Sequence, residues 1–487
     1  MMFRVLFYCC LLYFSSSVES TPLDDYVNKP DPTYKYQLIG EPERNDGYTT
    51  YYINLTSQTW LDAATCDRSV WWHFLVINVP DKVKSTDTAF IYVTGGSNTN
   101  TDLPSPSSED LLLPRVLSIT TGSVTATLFQ IPNQPITFTA DPMQKRRSED
   151  AIIAFTWYYY SQVIDTKDPE WLLRLPMTKA VVRAMDTVTD FVNKKEKSFD
   201  VQKFVIAGAS KRGWTTWTTG AVDKRVVAIV PIVMDLLNMV KNLHHHYRSL
   251  GGWTFAFNDY YDLNVTEHLD DPSTQKIASI VDPYSYIDRY TMPKMIVTTS
   301  GDEFFLPDDS YYFWDDLKGD KYLRTMPNAE HSLAGHATML MFDIRAFYLS
   351  ILTNSPRPVF SWSLQQNTTD GSITLLTTTE PLEVVVYHAN TIGDERRDFR
   401  LLIAGPDGRT EVHPVLWTPT KLQPVAPGKY VASRSAPKVG WTGFFIQVSF
   451  KGPADNSTYE FTTQMNIIPT TFPFPDCHGD SCRGKLV

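Results

Sequence analysis

Apolar and polar residues change their spacing several times along the chain, and each change predicts a different kind of element. Up to about Pro80 they alternate, most clearly over residues 48–55 and 71–79, which predicts antiparallel strands with one buried face. At 89–93 the alternation gives way to a short continuous apolar run that stops at Thr94-Gly95-Gly96, as a strand buried on both faces would. Further runs of this kind fall at 136–139, 204–207, 226–233, 294–298 and 322–325. Between them, 149–160, 177–191 and 335–352 carry apolar residues at helical spacing. Strands alternating with helices predict a mostly parallel sheet wrapped by helices.

Two segments break the rhythm. Residues 236–290, with His244-His245-His246, Trp253 and Tyr260-Tyr261, are long for a crossover. They are predicted to form a mostly helical cap over the carboxyl ends of the strands, where open α/β sheets bind ligands. After Asn354-Ser355-Pro356-Arg357-Pro358 the helical spacing ends. Short strand runs at 361–364, 382–388, 399–403 and 443–450, with turns at Asp370-Gly371 and Asp407-Gly408, predict a small β-sandwich of immunoglobulin or fibronectin type. The expected division is a leader over 1–20, an α/β domain over 21–355, a β-sandwich over 356–470 and a cysteine-containing tail over 471–487. The Pro-rich tail is expected to be weakly ordered.

The first twenty residues have the layout of a secretory signal peptide: Arg4, an apolar run over 5–14, and small residues ending Val18-Glu19-Ser20. No later segment is long and apolar enough to cross a bilayer, so the mature protein is expected to be secreted, with no membrane span. Four sequons, at Asn54, Asn264, Asn367 and Asn456, suit a glycoprotein. Cys9 and Cys10 leave with the leader. Cys477 and Cys482 are placed to close a small disulfide loop that leaves Cys66 free; a bridge from Cys66 to one tail cysteine is the alternative. Across 487 residues, 43% hydrophobic and 20% charged composition supplies an ordinary core, and a net charge of −10 argues against a nucleic-acid partner.

The sharpest chemical signal is Phe204-Val-Ile-Ala-Gly208-Ala209-Ser210-Lys211-Arg212-Gly213-Trp214. An apolar strand runs directly into Gly-x-Ser-x-x-Gly and then into a helix-like segment. A serine nucleophile standing on a tight turn needs this layout, although the second glycine usually stands one place earlier, where this chain has Arg212. A nucleophilic serine needs a base, and the chain order Ser, acid, His is met. Asp302 follows a buried strand, with Glu303, Asp308, Asp309 and Asp235 as rival acids; His331 precedes the closing helix, with His336 as its rival. The backbone N–H groups of Lys211 and Gly96 are candidates for an oxyanion hole. No metal or cofactor is expected. Three consecutive histidines on a helix point about 100° apart, and His478 lacks a second ligand pair.

Four of these segments together, Glu149-Asp-Ala-Ile-Ile-Ala-Phe-Thr-Trp157, Gly208-Ala-Ser-Lys-Arg-Gly-Trp-Thr-Thr-Trp217, Gly301-Asp-Glu-Phe-Phe-Leu-Pro-Asp308 and Pro327-Asn-Ala-Glu-His331, resemble the PhoPQ-activated pathogenicity-related family. The eukaryotic members of that family are labelled autocrine proliferation repressor-like. The resemblance implies a secreted α/β-hydrolase fold with a small C-terminal β-domain, and triad positions at Ser210, Asp302 and His331. The elbow is also similar to that of glucuronoyl esterases, which place a basic residue after the serine. Two functions are carried forward. One is a serine hydrolase acting on a small ester or peptide; the other is an extracellular signal acting through a cell-surface receptor.

Overall fold

The computed structural model describes residues 20–195 and 197–487, and the leader expected over 1–20 lies, apart from Ser20, outside the described residues. Helix α1 (Pro22–Asn28) opens on a capping box in which Thr21 and Asp24 satisfy one another's backbone N–H groups. Strands β1 (Lys35–Asn45), β2 (Tyr48–Thr59) and β3 (Val70–Pro80) form an antiparallel meander. After β4 (Thr88–Val93) the chain crosses through α2 (Leu112–Thr121) to β5 (Thr125–Leu128), which inserts between β3 and β4. Helices α3 (Asp150–Tyr158) and α4 (Arg174–Lys195) lead to β6 (Lys203–Ala209), and α5 (Lys211–Val222) leads to β7 (Val226–Ile232). The short helices α6 (Met239–Leu250), α7 (Asn258–Asp262) and α8 (Pro272–Val281) intervene before β8 (Lys294–Thr299), β9 (Lys321–Met326) and α9 (Ala337–Leu352). β4, β6, β7, β8 and β9 are parallel neighbours in that order. The result is a mixed α/β fold around one large central sheet, ordered β1-β2-β3-β5-β4-β6-β7-β8-β9.

Burial explains the continuous apolar runs. All six residues of β8 are buried, and every residue of β4 is buried but Tyr92. One face packs under α4 and α5 through Ile91, Ile206, Val181 and Trp217, the other under α2 and α9 through Phe90, Val205 and Phe347.

Ten strands follow α9: β10 (Phe360–Gln366), β11 (Asp370–Thr377), β12 (Glu383–Asn390), β13 (Leu402–Ala404), β14 (Thr410–Val412), β15 (Thr418–Lys421), β16 (Lys429–Ser435), β17 (Thr442–Lys451), β18 (Thr458–Thr462) and β19 (Asn466–Ile468). One layer is the three-stranded sheet β10-β11-β16, and β13 and β14 pair as a separate hairpin. The other layer is β18-β17-β12-β15, with β19 also on β17, and it is not a separate sheet. Thr462 of β18 pairs with Leu323 of β9, so the central sheet continues into this region and reaches 14 strands among the described residues. Ile373 and Leu375 face Val386, Ile446 and Val448, and this core is contiguous with that beneath α9.

Three sequence expectations change. Residues 136–139 form no strand; Ile136 makes one isolated bridge to Arg147, and with Phe138 it is buried in a loop. A short apolar run reads alike for a buried strand and a buried loop. The run 399–403 supplies only Leu402 and Ile403, to the three-residue β13, because 396–400 reach back to the cap. The tail over 471–487 is fastened down: Trp253 N–H donates to Lys485 O and Val487 N–H to Trp253 O, both at 2.8 Å, and Trp253 Nε1–H donates to Cys482 O at 2.9 Å. Cys477 and Cys482 are disulfide-bonded, while Cys66 is free and buried.

Candidate active site

The turn between β6 and α5 forces its own sequence. Ser210 stands at φ 56°, ψ −126°, outside the regions an L-residue prefers, and its N–H donates to Ile232 O at 2.8 Å. A Cβ on Gly208 would lie 2.8 Å from Arg212 O, and one on Gly213 would lie 2.8 Å from Ile232 O. The displaced second glycine is thereby explained: the close approach to β7 is made at Gly213, and Arg212 turns away from it. Arg212 Nε–H donates to Ile131 O at 2.5 Å and its Nη2 pairs with Glu149 Oε1 at 2.7 Å. Its guanidinium lies against Gly95, where a Cβ would come within 2.6 Å of Nη2.

His331, on the loop after β9, comes to the elbow from the far side. Its Nε2 lies 2.8 Å from Ser210 Oγ, and its Nδ1 lies 2.9 Å from both carboxylate oxygens of Asp302. Asp302 Oδ1 also accepts the N–H groups of Phe304 and Phe305 at 2.8 and 3.2 Å, which fixes the carboxylate behind the ring. Phe304 and Phe305 flank the imidazole with ring centres 4.3 and 5.6 Å away. Burial alone would lower the His331 pKa, but the charge and hydrogen bond of Asp302 outweigh it and raise the pKa above 6.5. With Nδ1–H donated to Asp302, Nε2 is free to accept the serine proton.

Four of the five rival residues have other partners. Glu303 Oε2 accepts the backbone N–H of His331 at 3.0 Å, and Asp309 Oδ2 accepts that of Leu306 at 3.1 Å. Asp308 pairs with His245 and Arg397. Asp235 is buried near Asp302, and burial with that neighbouring charge raises its pKa, so it leans toward the neutral acid. His336 is the N-cap residue of α9, with Nε2 3.2 Å from Asn328 O.

Lys211 opens α5, so its N–H points out of the helix N-terminus beside Ser210. Gly96, at φ 137° and exposed, follows Gly95 on the loop after β4, whose Val93 is in register with Gly208. The Lys211 ammonium is engaged by Glu149 Oε2 at 3.1 Å and Asp150 Oδ2 at 3.0 Å. Burial would raise the Glu149 pKa, but Arg212 and Lys211 outweigh it and hold the carboxyl at about 2.

A cavity opens from Ser210 and Lys211 beneath α6, α7 and α8. Its wall is mainly apolar and aromatic, with Trp157, Trp214, Trp253, Phe257, Met239 and Leu263 among the lining residues. Arg174, pulled down to about 10 by burial, donates from Nη1 to Lys211 O at 2.9 Å with its guanidinium 4.2 Å above the Trp214 ring. Arg174 and the acid pair Glu149–Asp150 were not singled out for chemistry in the sequence. Glu149 and Asp150 stand at the start of the helical run 149–160, where acidic residues are ordinary capping.

The four sequon asparagines, Asn54, Asn264, Asn367 and Asn456, are exposed, and no helix among the described residues is long and apolar enough to cross a membrane. The family model described as PhoPQ-activated pathogenicity-related protein matches residues 23–400. Autocrine proliferation repressor protein A of Dictyostelium discoideum is 43% identical, over 97% of this chain and 97% of that protein. Two acetyl xylan esterase structures are similar: one from Paenibacillus sp. R4 at 13% identity and TM-score 0.46, covering 68% of this chain and 92% of that one. The other, from Thermoanaerobacterium sp. JW/SL YS485, is 14% identical at TM-score 0.45, covering 68% and 93%. A match running from 23 to 400, joined to 43% identity along nearly the whole length of a relative, means that the chain belongs to the PhoPQ-activated pathogenicity-related protein family.

Proposed function

We propose that this protein is a secreted serine hydrolase of the α/β-hydrolase fold that cleaves an ester or peptide bond through Ser210, His331 and Asp302. The observation that carries the reading is the unbroken hydrogen-bond chain from Ser210 Oγ through His331 to Asp302 at 2.8 and 2.9 Å. Ser210 Oγ attacks the substrate carbonyl as His331 Nε2 takes its proton; Asp302 stabilises the imidazolium. The C–O or C–N bond breaks as His331 returns that proton to the leaving group, and water attacks the acyl-serine by the same path. The backbone N–H groups of Lys211 and Gly96 receive the oxyanion. The aromatic cavity suits an apolar group beside the scissile bond. Lys211 and Arg212 are neutralised by Glu149 and Asp150, so a substrate carboxylate is not part of this reading.

An active-site fluorophosphonate is expected to label the folded protein stoichiometrically on Ser210, read by peptide mass spectrometry. Complete resistance of native protein, or label on another serine, overturns the proposal. The acid–base role also fixes a pH dependence. Acylation needs neutral His331, and its pKa is raised above 6.5, so kcat/KM for an aryl ester should climb with pH through a midpoint above 6.5 and then level off. A profile flat from pH 5.5 to 8.5 would exclude His331 as the base.

The disulfide and the four exposed sequons support export and glycosylation at Asn54, Asn264, Asn367 and Asn456, and the reading includes a leader cut after Ser20. The proposed domains are 21–355 and an immunoglobulin- or fibronectin-like sandwich over 356–470, supported by its two facing layers. A second reading, an extracellular proliferation repressor acting through a cell-surface receptor, is favoured by the 43% identity to a relative of that name. Signalling retained by Ser210→Ala would separate the two.

A further inference from the structure

We propose that His244, Asp270 and His478 form a zinc site that fastens the C-terminal tail to the cap, independently of the hydrolase chemistry. The three residues are far apart in the chain: His244 lies on α6, Asp270 before α8, and His478 beside the tail disulfide. Their ligand atoms lie within 4.8 Å of one another. His244 Nε2 is 2.9 Å from Asp270 Oδ1, and His478 Nδ1 is 3.6 Å from Asp270 Oδ2. Ligands bonded at about 2.0–2.1 Å around a tetrahedral ion stand about 3.3 Å apart, so these spacings bracket what zinc requires.

The hydrogen bonding of His244 supplies the second argument. Its Nδ1 lies 2.8 Å from Asp476 Oδ1, while its Nε2 faces the Asp270 carboxylate. A neutral imidazole has one N–H. With Nδ1–H donated to Asp476, Nε2 is the nitrogen left facing the Asp270 carboxylate, and a metal ion held by both would take the place of that contact. A carboxylate receiving the far N–H of a ligating histidine is the usual outer partner of a zinc site. Two imidazoles and one carboxylate with a position left for water suit zinc better than calcium or magnesium, which take mostly oxygen ligands. His478 is 76% exposed, which leaves the site open to solution. The sulfurs of Cys477 and Cys482 are near His244 but are closed as ligands by their disulfide.

Such an ion would tie the tail to the cap helix whose neighbour Trp253 both lines the cavity and hydrogen-bonds the tail. The test is calorimetric titration of the oxidised full-length protein with ZnCl2, with MgCl2 as the control titrant. Saturable binding of one zinc per chain is expected, accompanied by a rise in melting temperature. His478→Ala is expected to weaken zinc binding at least tenfold, with the circular-dichroism spectrum of the metal-free variant matching that of the parent. Asp476→Asn is expected to weaken it by about tenfold through the outer partner. Absence of saturable binding, or equal affinity in His478→Ala, overturns the proposal.

Discussion

Ser210→Ala is expected to lower kcat/KM for a small aryl ester by about 10⁴- to 10⁶-fold, with the fold intact by circular dichroism and the melting temperature nearly unchanged. Ser210 Oγ accepts no structural burden in the turn: it is bonded to His331 Nε2, and the turn is held by backbone contacts from Ser210 N–H to Ile232 O and at Gly208 and Gly213. His331→Ala is expected to lose a comparable factor, and the double variant little more, because serine and base act as one unit. Asp302→Asn should cost about 10⁴-fold by favouring the wrong tautomer of His331. The discriminating comparison is Asp235→Asn. Asp235 is buried near Asp302, but Asp302 is the carboxylate on His331 Nδ1. If Asp235→Asn were as damaging as Asp302→Asn, the acid of the triad would be misassigned. If Ser210→Ala retained full turnover, the nucleophile would be.

The elbow was legible because its requirements are local. A buried strand, a glycine where backbone crosses backbone and a serine before a helix are neighbours in sequence, so Ser210 and the strands around it can be read directly. Asp302 and His331 were legible by chain order and by their positions after apolar runs. The choice of acid was legible only as a preference for Asp302, which follows its strand directly, since Glu303, Asp308 and Asp309 lie within eight residues of it and the path of the loop separates them. The salt-bridged acids Glu149 and Asp150 escaped notice because their partners stand some sixty positions later, at Lys211 and Arg212. The tail failed for a related reason. Proline-rich composition describes local stiffness, whereas its order comes from Trp253, Arg400 and the cap, none of them adjacent in sequence. The continuation of the central sheet from β9 into β18 rests on a pairing across more than a hundred residues, beyond the reach of any periodicity.

Asp308→Ala is expected to destabilise the protein by about 3–5 kcal/mol, the largest stability effect of any single substitution considered for this fold. Asp308 is 1% exposed; its Oδ1 lies 2.9 Å from His245 Nε2 and accepts from Arg397 Nη1 at 3.2 Å, while Oδ2 accepts from Arg397 Nη2. These three side chains come from the loop after β8, the cap helix α6 and the arm between β12 and β13. Arg397 N–H also donates to Ser249 O, and Leu401 N–H to Gly301 O, next to Asp302. Removing the carboxylate strands a buried guanidinium and frees the loop that carries Asp302, so activity should fall along with stability. Burial would raise the Asp308 pKa, but the Arg397 charge outweighs it and holds it well below the usual carboxylate range. Its stabilising contribution is therefore complete above about pH 4, the ordinary aspartate value, and is lost as the solution is acidified below it. Denaturant unfolding of the parent and Asp308→Ala should show a constant gap between pH 7 and pH 5 that narrows under stronger acid. Replacing both charges together, Asp308→Leu with Arg397→Met, should recover much of the loss, because an apolar pair leaves no ion without its partner. A double variant as unstable as Asp308→Ala alone would mean that the loss comes from packing at Asp308, with the ion pair contributing little.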